Sequence, residues 1–181
     1  MYTQIATYCQ IDVLEVKKTS ETKQWGLPYE RGEIDSWTLF HQLPQKIQGS
    51  KGFAEWMDTI SNIFKPNDLL LPLIKELKKN KIKLYTLSNI CAAHFGYAYT
   101  HFPVLHFFDG HILSYEVKSR VPDPKIYEIA LLKAFAEKED SFYISSSKEY
   151  VQKAQLLHID SEIYTNPEAL YLQLKQKNYL P

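Results

Sequence analysis

The stretch that decides the fold covers residues 114–131 and reads Ser-Tyr-Glu-Val-Lys-Ser-Arg-Val-Pro-Asp-Pro-Lys-Ile-Tyr-Glu-Ile-Ala-Leu. A residue before proline is pushed out of helical geometry, so Asp123, which lies between two prolines, is not helical. It can cap a helix that begins at Pro124, where the missing N–H costs no hydrogen bond. Apolar residues follow at helical spacing, so the pattern predicts a strand end, a loop and a helix over residues 124–138. This connection is either a rigid link or a loop that carries chemistry, as such loops do in α/β proteins.

Helical and strand patterns alternate from residue 68 to the end of the chain. The predicted strands cover residues 81–87, 111–114, 141–145 and 161–164, and the predicted helices cover 68–79, 91–101, 124–138 and 147–157. This alternation predicts a Rossmann-like parallel sheet with helices on its faces. Helical patterns alone occupy residues 1–64, so we expect a helical cap over residues 1–65 and an α/β core over 66–181.

Several helix starts can be predicted from capping residues. Asp35 can cap a helix over residues 36–43, Asn166 can cap the last helix, and Ser146 forms a capping box with Glu149. An apolar stripe at helical spacing predicts a helix that packs into the core. The residues of this stripe are Phe53, Trp56, Met57, Ile60 and Phe64.

Composition excludes several classes of protein. The chain has 21 basic and 21 acidic residues, so no basic footprint for nucleic acid or for a membrane surface is present. No apolar run approaches the roughly 20 residues that span a bilayer, and the N-terminus lacks the pattern of a signal peptide. Cys9 and Cys91 are too far apart in sequence to suggest a metal site. We therefore expect a soluble, cytoplasmic protein with free thiols.

The histidines favour an ordinary structural role. His94, His101, His106 and His111 occur close together in sequence, but no two are separated by four residues, the spacing that places ligands on one helix face. Core or surface histidines are the preferred interpretation over a zinc site. For Cys91 we expect a buried, inert thiol.

Residues 114–127 resemble a run found in haloacid dehalogenase-like (HAD) phosphohydrolases, which is close to Ser-x-Glu-Val-Gly-x-Arg-Lys-Pro-Asp-Pro-x-Ile-Tyr. Two further runs resemble the same family: Glu-Arg-Gly-Glu-Ile at residues 30–34, in the cap, and Leu-Ser-Asn at residues 87–89. The resemblance covers nearly the whole chain. It implies a HAD-like core with a helical cap.

The resemblance also shows which family residues are missing. Val121 stands at the family's phosphate-steadying lysine, Lys118 stands at its glycine, and Ser145 and Ser146 stand at its two magnesium-binding aspartates. A serine hydroxyl is a poor neutral replacement for a carboxylate on a hard cation, so we expect no cofactor. The family's first strand ends in Asp-x-Asp, which supplies the nucleophile and the acid–base group. This strand has no counterpart here, and Asp12 is no replacement because it precedes a helix.

The residues that remain after these losses could still form an anion-binding site, called the anion corner below. In the family, the Leu-Ser-Asn run contributes a hydroxyl and a backbone N–H to phosphate. Ser88, Asn89 and Arg120 could therefore converge with the helix N-terminus that follows Ser146, since such termini bind anions. In the alternative interpretation, Ser146 merely caps its helix and Arg120 faces water.

The expected function is therefore non-enzymatic. We interpret the chain as a HAD-like domain that has lost phosphohydrolase catalysis and either senses a small phosphate-bearing ligand or contacts another protein, with no nucleic-acid or membrane partner. The alternative is an active phosphatase that uses unrecognised residues or residues from a segment outside this chain. A reading frame whose true start lies upstream of Met1 is a third alternative, and the oligomeric state stays open.

The missing first strand also poses a structural problem. In the family it lies in the middle of the sheet, and its loss leaves unpaired N–H and C=O groups in the core. The neighbouring strands could close up, residues 2–8 could fill the gap, or a second chain could supply an edge. We predict the first outcome, direct pairing of residues 82–87 with 141–145 in a four-stranded parallel sheet.

Overall fold

The protein is described by a computed structural model that covers residues 2–23, 26–48 and 52–181. The chain forms two compact units. The first contains residues 1–65, 89–102 and 114–118, and the second contains residues 66–88, 103–113 and 119–181. Each unit is therefore assembled from separate stretches of chain.

Helices and strands follow one another in this order in the described residues. They are α1 (Tyr2–Cys9), α2 (Val13–Lys23), α3 (Gly26–Glu30), α4 (Ser36–Gln42), α5 (Gln45–Gln48), α6 (Phe53–Ser61), α7 (Leu71–Lys79), β1 (Tyr85–Ser88), α8 (Ala92–His101), β2 (Gly110–Leu113), α9 (Ser114–Val117), α10 (Pro124–Ala134), β3 (Phe142–Ser145), α11 (Lys148–Leu156), β4 (Asp160–Ile163) and α12 (Pro167–Gln176). Short 3-10 turns precede α7 and β2.

The first unit is helical, and its core is formed by side chains from the N-terminal helices and from the residue that precedes α8. The buried side chains of this core are Ile5, Ala6, Val16, Tyr29, Leu39, Phe40, Leu43, Ile47, Trp56, Ile60 and Cys91. Asp35 accepts a hydrogen bond from the backbone N–H of Thr38 at 2.7 Å, so the predicted cap of α4 is confirmed. The apolar stripe of α6 also packs inward as predicted, although the helix ends at Ser61 rather than at residue 64.

A buried hydroxyl connects three segments of the first unit. Ser114 is 0% exposed, and its Oγ lies 2.6 Å from the carbonyl oxygen of Glu30 and 3.0 Å from both backbone polar atoms of Ile90. The hydroxyl can donate to a carbonyl and accept from the Ile90 N–H. It therefore satisfies backbone groups at the end of α3 and before α8.

The second unit contains two parallel two-stranded sheets. In the described residues, β1 pairs with β2 in the register Tyr85↔Gly110, and β3 pairs with β4 in the register Phe142↔Asp160. The predicted four-stranded sheet, with residues 82–87 paired to 141–145, is therefore wrong. Residues 2–8 do not fill the gap either, because they belong to helix α1.

Packing, rather than strand pairing, explains why the two sheets belong to one core. A leucine cluster formed by α7, α12 and the C-terminal segment receives side chains from β3 and from the segment that leads into β1. Leu84, at the entrance of β1, and Ile144 of β3 both pack against it. Apolar burial of this kind is non-directional, so it holds two half-sheets together without a hydrogen-bonded ladder between them.

Some element boundaries differ from the predicted ones for local reasons. β1 begins at Tyr85 and not at residue 81, because the N–H of Leu84 donates to the carboxylate of Asp109 at 2.7 Å. Lys78 donates to both oxygens of Asp109, and although burial raises the pKa of this carboxyl, the Lys78 and Leu84 hydrogen bonds outweigh burial and lower it. Helix α10 ends at Ala134 because Phe135 adopts a left-handed conformation, with φ of 51°.

Candidate functional site

The predicted corner residues are divided between the two units. Ser88 is the last residue of β1, Ser146 follows β3, and Arg120 lies in the loop before α10, all within the second unit. Asn89 belongs to the first unit. Ser88 ends a strand of one sheet and Ser146 follows a strand of the other, so a single anion corner of all four residues remains a prediction.

The loop before α10 is built as the sequence predicts. Asp123 accepts a hydrogen bond from the N–H of Lys125 at 3.0 Å and donates its own N–H to the carbonyl of Arg120 at 2.7 Å. Pro124 is the first helical residue. Val121 is 5% exposed, so this apolar side chain is packed into the protein at the position where the resemblance implies a lysine. It supplies no charge to a phosphoryl group.

Two serine hydroxyls at the turn after β3 accept hydrogen bonds from nearby backbone N–H groups. The Oγ of Ser145 accepts a hydrogen bond from the N–H of Ser147 at 3.2 Å, and the Oγ of Ser147 accepts from the N–H of Tyr150 at 3.4 Å. The cap of α11 is therefore Ser147, and the predicted cap at Ser146 is wrong by one residue. Ser146 is exposed to solvent. Because Ser147 caps α11, the hydroxyl of Ser146 does not serve as the cap.

Sequence reasoning missed a group of tyrosines beside this turn. The hydroxyl of Tyr127 donates to the carbonyl of Tyr150 at 2.9 Å, and its ring meets the ring of Tyr143 edge-on at 5.5 Å between centroids. Tyr143 is hydrogen-bonded in turn to Ser145 and Tyr127. Burial raises the pKa of both Tyr127 and Tyr143, so both phenols stay neutral at physiological pH. The only sequence signal was the Ile-Tyr pair that ends the motif at residues 126–127.

Metal-ligating residues are dispersed in the parts of the chain that the structure describes. Across residues 2–23, 26–48 and 52–181, no group of three or more His, Cys, Asp or Glu side chains is placed to hold a metal ion. His94 is hydrogen-bonded to the carbonyl of Ile60 at 2.9 Å, and His111 to the hydroxyl of Thr86 at 2.9 Å. Cys91 is 1% exposed, which confirms the expected buried thiol, and this burial raises the pKa of the thiol.

No helix within the described ranges combines the length and the apolar character needed to cross a bilayer.

The chain has the fold of haloacid dehalogenase-like enzymes and is similar to members of that superfamily. Its fold matches the HAD family enzyme BT-2542 from Bacteroides thetaiotaomicron with a TM-score of 0.81, at 20% identity, over 93% of this chain and 88% of that one. A HAD-like hydrolase from Porphyromonas gingivalis matches with a TM-score of 0.73, at 16% identity, over 97% and 88% of the two chains.

A curated phosphatase also matches in sequence. The sesquiterpene phosphatase astK of Aspergillus oryzae is 25% identical over 169 residues, which cover 92% of this chain and 85% of the phosphatase. No protein-family model matches the sequence. The Rossmann-like core with helical content that the motif predicted is thus confirmed.

The comparisons correct the expectation about cofactors. Structures of BT-2542 in complex with magnesium and inorganic phosphate match this chain with TM-scores of 0.72 and 0.70, at 21% and 22% identity. They point to a magnesium-dependent family, so the expectation of no cofactor is wrong. Ser145, at one of the implied magnesium positions, is already bonded to Ser147 and Tyr143. Neutral serine hydroxyls do not fit a divalent cation, which prefers carboxylate oxygens.

Proposed function

We propose that this chain is a HAD-like phosphate-binding domain that does not hydrolyse phosphate esters by itself, and that it senses a phosphate-bearing ligand or contacts another protein. The observation that carries the proposal is the buried side chain of Val121 in the loop that the family uses to steady the phosphoryl group. A buried valine can neither neutralise a phosphoryl group nor hold a nucleophile. Binding without turnover is the function that this loop supports best.

The strand ends support the same proposal. Covalent phosphoryl transfer needs a nucleophile such as a carboxylate at the site. The four strands that the structure describes end in Ser88, Leu113, Ser145 and Ile163. The carboxylate of Asp123, in the loop before α10, accepts the capping hydrogen bond of that helix. These ends offer hydroxyl groups for an anion and no described carboxylate for attack on phosphorus.

Residual anion binding would use the remaining polar groups of the second unit. The N-terminus of α11, a helix of nine residues, carries backbone N–H groups and the positive end of the helix dipole. Arg120 adds a guanidinium group, which suits phosphate geometry, and Ser88 and Ser146 add hydroxyl groups.

The first prediction is the absence of turnover. Purified protein with p-nitrophenyl phosphate and millimolar magnesium is expected to release p-nitrophenol at the background rate, and Ser88→Ala is expected to change nothing. Magnesium is included because related structures contain it. Magnesium-dependent turnover that co-elutes with the protein on gel filtration, and that Ser88→Ala abolishes, would contradict the proposal.

The second prediction concerns anion binding. A ligand that binds the folded state alone stabilises it by RT ln(1 + [L]/Kd), about 2.7 kcal/mol at a hundredfold excess over Kd. Phosphate is therefore expected to raise the melting temperature of the wild type, and Arg120→Ala is expected to remove most of that rise.

The matched control for this melt is Arg31→Ala. Arg31 lies in the first unit, half-exposed, and pairs with Glu33 at 3.8 Å. The Arg31→Ala variant is expected to keep the full rise in melting temperature that phosphate causes in the wild type. Each variant is compared with itself in chloride of equal ionic strength, so a loss of basal stability does not affect the comparison. If phosphate raises the melting temperatures of the wild type and Arg120→Ala equally, or does not raise that of the wild type, the proposed anion site is contradicted.

A second candidate function is favoured by one observation. A sesquiterpene phosphatase matches 92% of the chain, so an active phosphatase for an apolar phosphate ester, working through unrecognised or externally supplied residues, is the alternative. Magnesium-dependent release of phosphate from a sesquiterpenyl monophosphate, with no release from p-nitrophenyl phosphate, would establish it. Either function is proposed for the cytoplasm, since Cys9 and Cys91 are free thiols.

A further inference from the structure

The end of helix α10 exposes a large aromatic side chain in a strained backbone conformation. Phe135 is 92% exposed and has a φ of 51°, in the left-handed region. Two hydrogen bonds hold this turn, since the N–H of Phe135 donates to the carbonyl of Leu132 and the N–H of Ala136 donates to the carbonyl of Leu131, both at 3.1 Å. Glycine is the usual residue at this position of a helix end. A bulky residue there costs free energy, and Phe135 recovers almost none of it by burial.

The other left-handed residues of the second unit show what distinguishes Phe135. Lys81, His158 and Asn178 have φ values of 61°, 61° and 60°. All three are polar and exposed, as expected for side chains that face water. Among the described residues of this unit, Phe135 is the only apolar side chain at such a position. Leu132, one turn earlier on the same helix face, is 74% exposed, so the two side chains form an apolar patch of the kind that marks an interaction site.

The sequence around Phe135 is complementary in charge to a second copy of itself. Residues 133–137 read Lys-Ala-Phe-Ala-Glu, so a lysine and a glutamate flank the ring at equal distances along the chain. Lys133 and Glu137 are both exposed. In a two-fold contact, each residue i that meets residue j of the other copy is matched by j meeting i. With the two segments antiparallel and the axis at Phe135, Lys133 of each copy lies opposite the partner's Glu137.

Charge and area together specify the occupant of this patch and the strength of the contact. A uniformly basic or uniformly acidic partner would bring a like charge against either Lys133 or Glu137, whereas a second copy meets both with an opposite charge. A buried phenylalanine covers about 150–250 Å², so two rings contribute about 300–500 Å², well below the roughly 1,200–2,000 Å² of a stable interface. We therefore expect a weak dimer that forms as the concentration rises.

We propose that Phe135 is the centre of a two-fold contact between two copies of this chain. The two rings pack against each other and against Leu132 of both copies, and Lys133 of each copy pairs with the partner's Glu137. The small side chains of Ala134 and Ala136 leave room for the rings to meet. Burial of the rings in the dimer offsets the cost of their exposed, left-handed position in the monomer. This inference concerns the second unit alone and is independent of the anion corner.

The test follows the mass of the full chain by sedimentation equilibrium from about 10 µM to about 1 mM, the range in which a weak dimer dissociates. The wild type is expected to change from monomer to dimer over this range. Phe135→Gly is expected to weaken the dimer at least about hundredfold, since each copy loses a buried ring. Leu172→Ala is the matched control: this leucine is 59% exposed on α12 of the same unit, and the variant is expected to dimerise like the wild type.

Two charge variants test the two-fold arrangement itself. Lys133→Glu alone places two pairs of glutamates across the axis, and Glu137→Lys alone places two pairs of lysines there. Each variant is therefore expected to weaken the dimer about tenfold. An equimolar mixture of the two variants restores opposite charges at both positions and is expected to associate within about threefold of the wild type. This rescue requires a contact that pairs position 133 with position 137.

Three results would each overturn the proposal. They are a wild type that stays monomeric at about 1 mM, a Phe135→Gly variant that dimerises as well as the wild type, and a mixture of the charge variants that shows no rescue. Phe135→Gly is expected to stay folded because glycine adopts the left-handed conformation without strain, and its melting temperature at low concentration checks this. Should Phe135→Gly fail to fold, the wild type and the charge variants still decide.

Discussion

A Gly32→Ala variant is expected to melt about 10 °C below the wild type. Gly32 has a φ of +61°, and a Cβ there would overlap the carbonyl oxygen of Tyr115. A non-glycine residue in the left-handed region costs about 1–2 kcal/mol, and the overlap with rigid backbone adds to this, for a total on the order of 3 kcal/mol. In a protein of this size each kcal/mol lowers the melting temperature by about 2–4 °C.

The hydrogen bonds around Gly32 leave little room for relaxation. Its N–H donates to the carbonyl of Tyr29 at 3.0 Å, and its own carbonyl accepts from Lys118. All of these residues belong to the first unit. The chain reversal after α3 is therefore held on both sides of the glycine, and a backbone shift that removes the overlap would break these bonds.

Gly96→Ala provides the matched control. Gly96 lies inside helix α8 of the same unit and is exposed, and a Cβ at this position would meet no heavy atom within 4 Å. Alanine in a helix is favoured over glycine by about 0.5–1 kcal/mol, so this variant is expected to melt slightly higher. Differential scanning calorimetry on both variants decides the matter. If Gly32→Ala melts like Gly96→Ala, the conformation at Gly32 is not the one described.

Local chemistry explains what could be predicted from the sequence. The caps at Asp35, Asp123 and Asn166 are confirmed, because each cap depends on a side chain and a backbone N–H two or three residues away. The same short range explains the error at Ser146. Any of the three consecutive serines, 145–147, can cap a helix, and only Ser146 has a glutamate three residues later. The choice between them depends on where β3 ends.

Strand pairing could not be predicted because it depends on contacts between distant segments. The prediction that β1 and β3 pair assumed that unpaired edges would close on each other. In the structure the apolar side chains around the strands pack against the leucine cluster, and β1 and β3 lie in separate sheets. The contacts of Tyr127 with Tyr143 and Tyr150 were missed for the same reason, since periodicity places a tyrosine on a face without naming its partner.

The candidate site stays a prediction, although the strands and the loop that carry its residues are described. Ser88 is the last residue of β1, Ser146 follows β3, and Arg120 lies in the loop before α10. Whether their polar groups converge depends on the distance between the two sheets, which no local pattern encodes.

A Ser114→Ala variant is expected to lose about 2–3 kcal/mol of unfolding free energy, because removing one partner leaves buried backbone groups unsatisfied. The hydroxyl of Ser114 accepts from the N–H of Ile90 and donates to a carbonyl, with Glu30 the nearer acceptor at 2.6 Å. Alanine fits the same space, so the loss comes from hydrogen bonding and not from a cavity. Chemical denaturation at neutral pH measures the difference.

Ser119→Ala is the control that isolates this effect. Ser119 is 3% exposed, and its Oγ has no hydrogen-bond partner among the residues that the structure describes. Removing a buried hydroxyl without a partner relieves a desolvation cost, so this variant is expected to be neutral or slightly more stable. The two substitutions are chemically identical, and both side chains are buried. Equal destabilisation by both would show that the hydroxyl of Ser114 contributes through packing, and that its three backbone contacts do not stabilise the first unit.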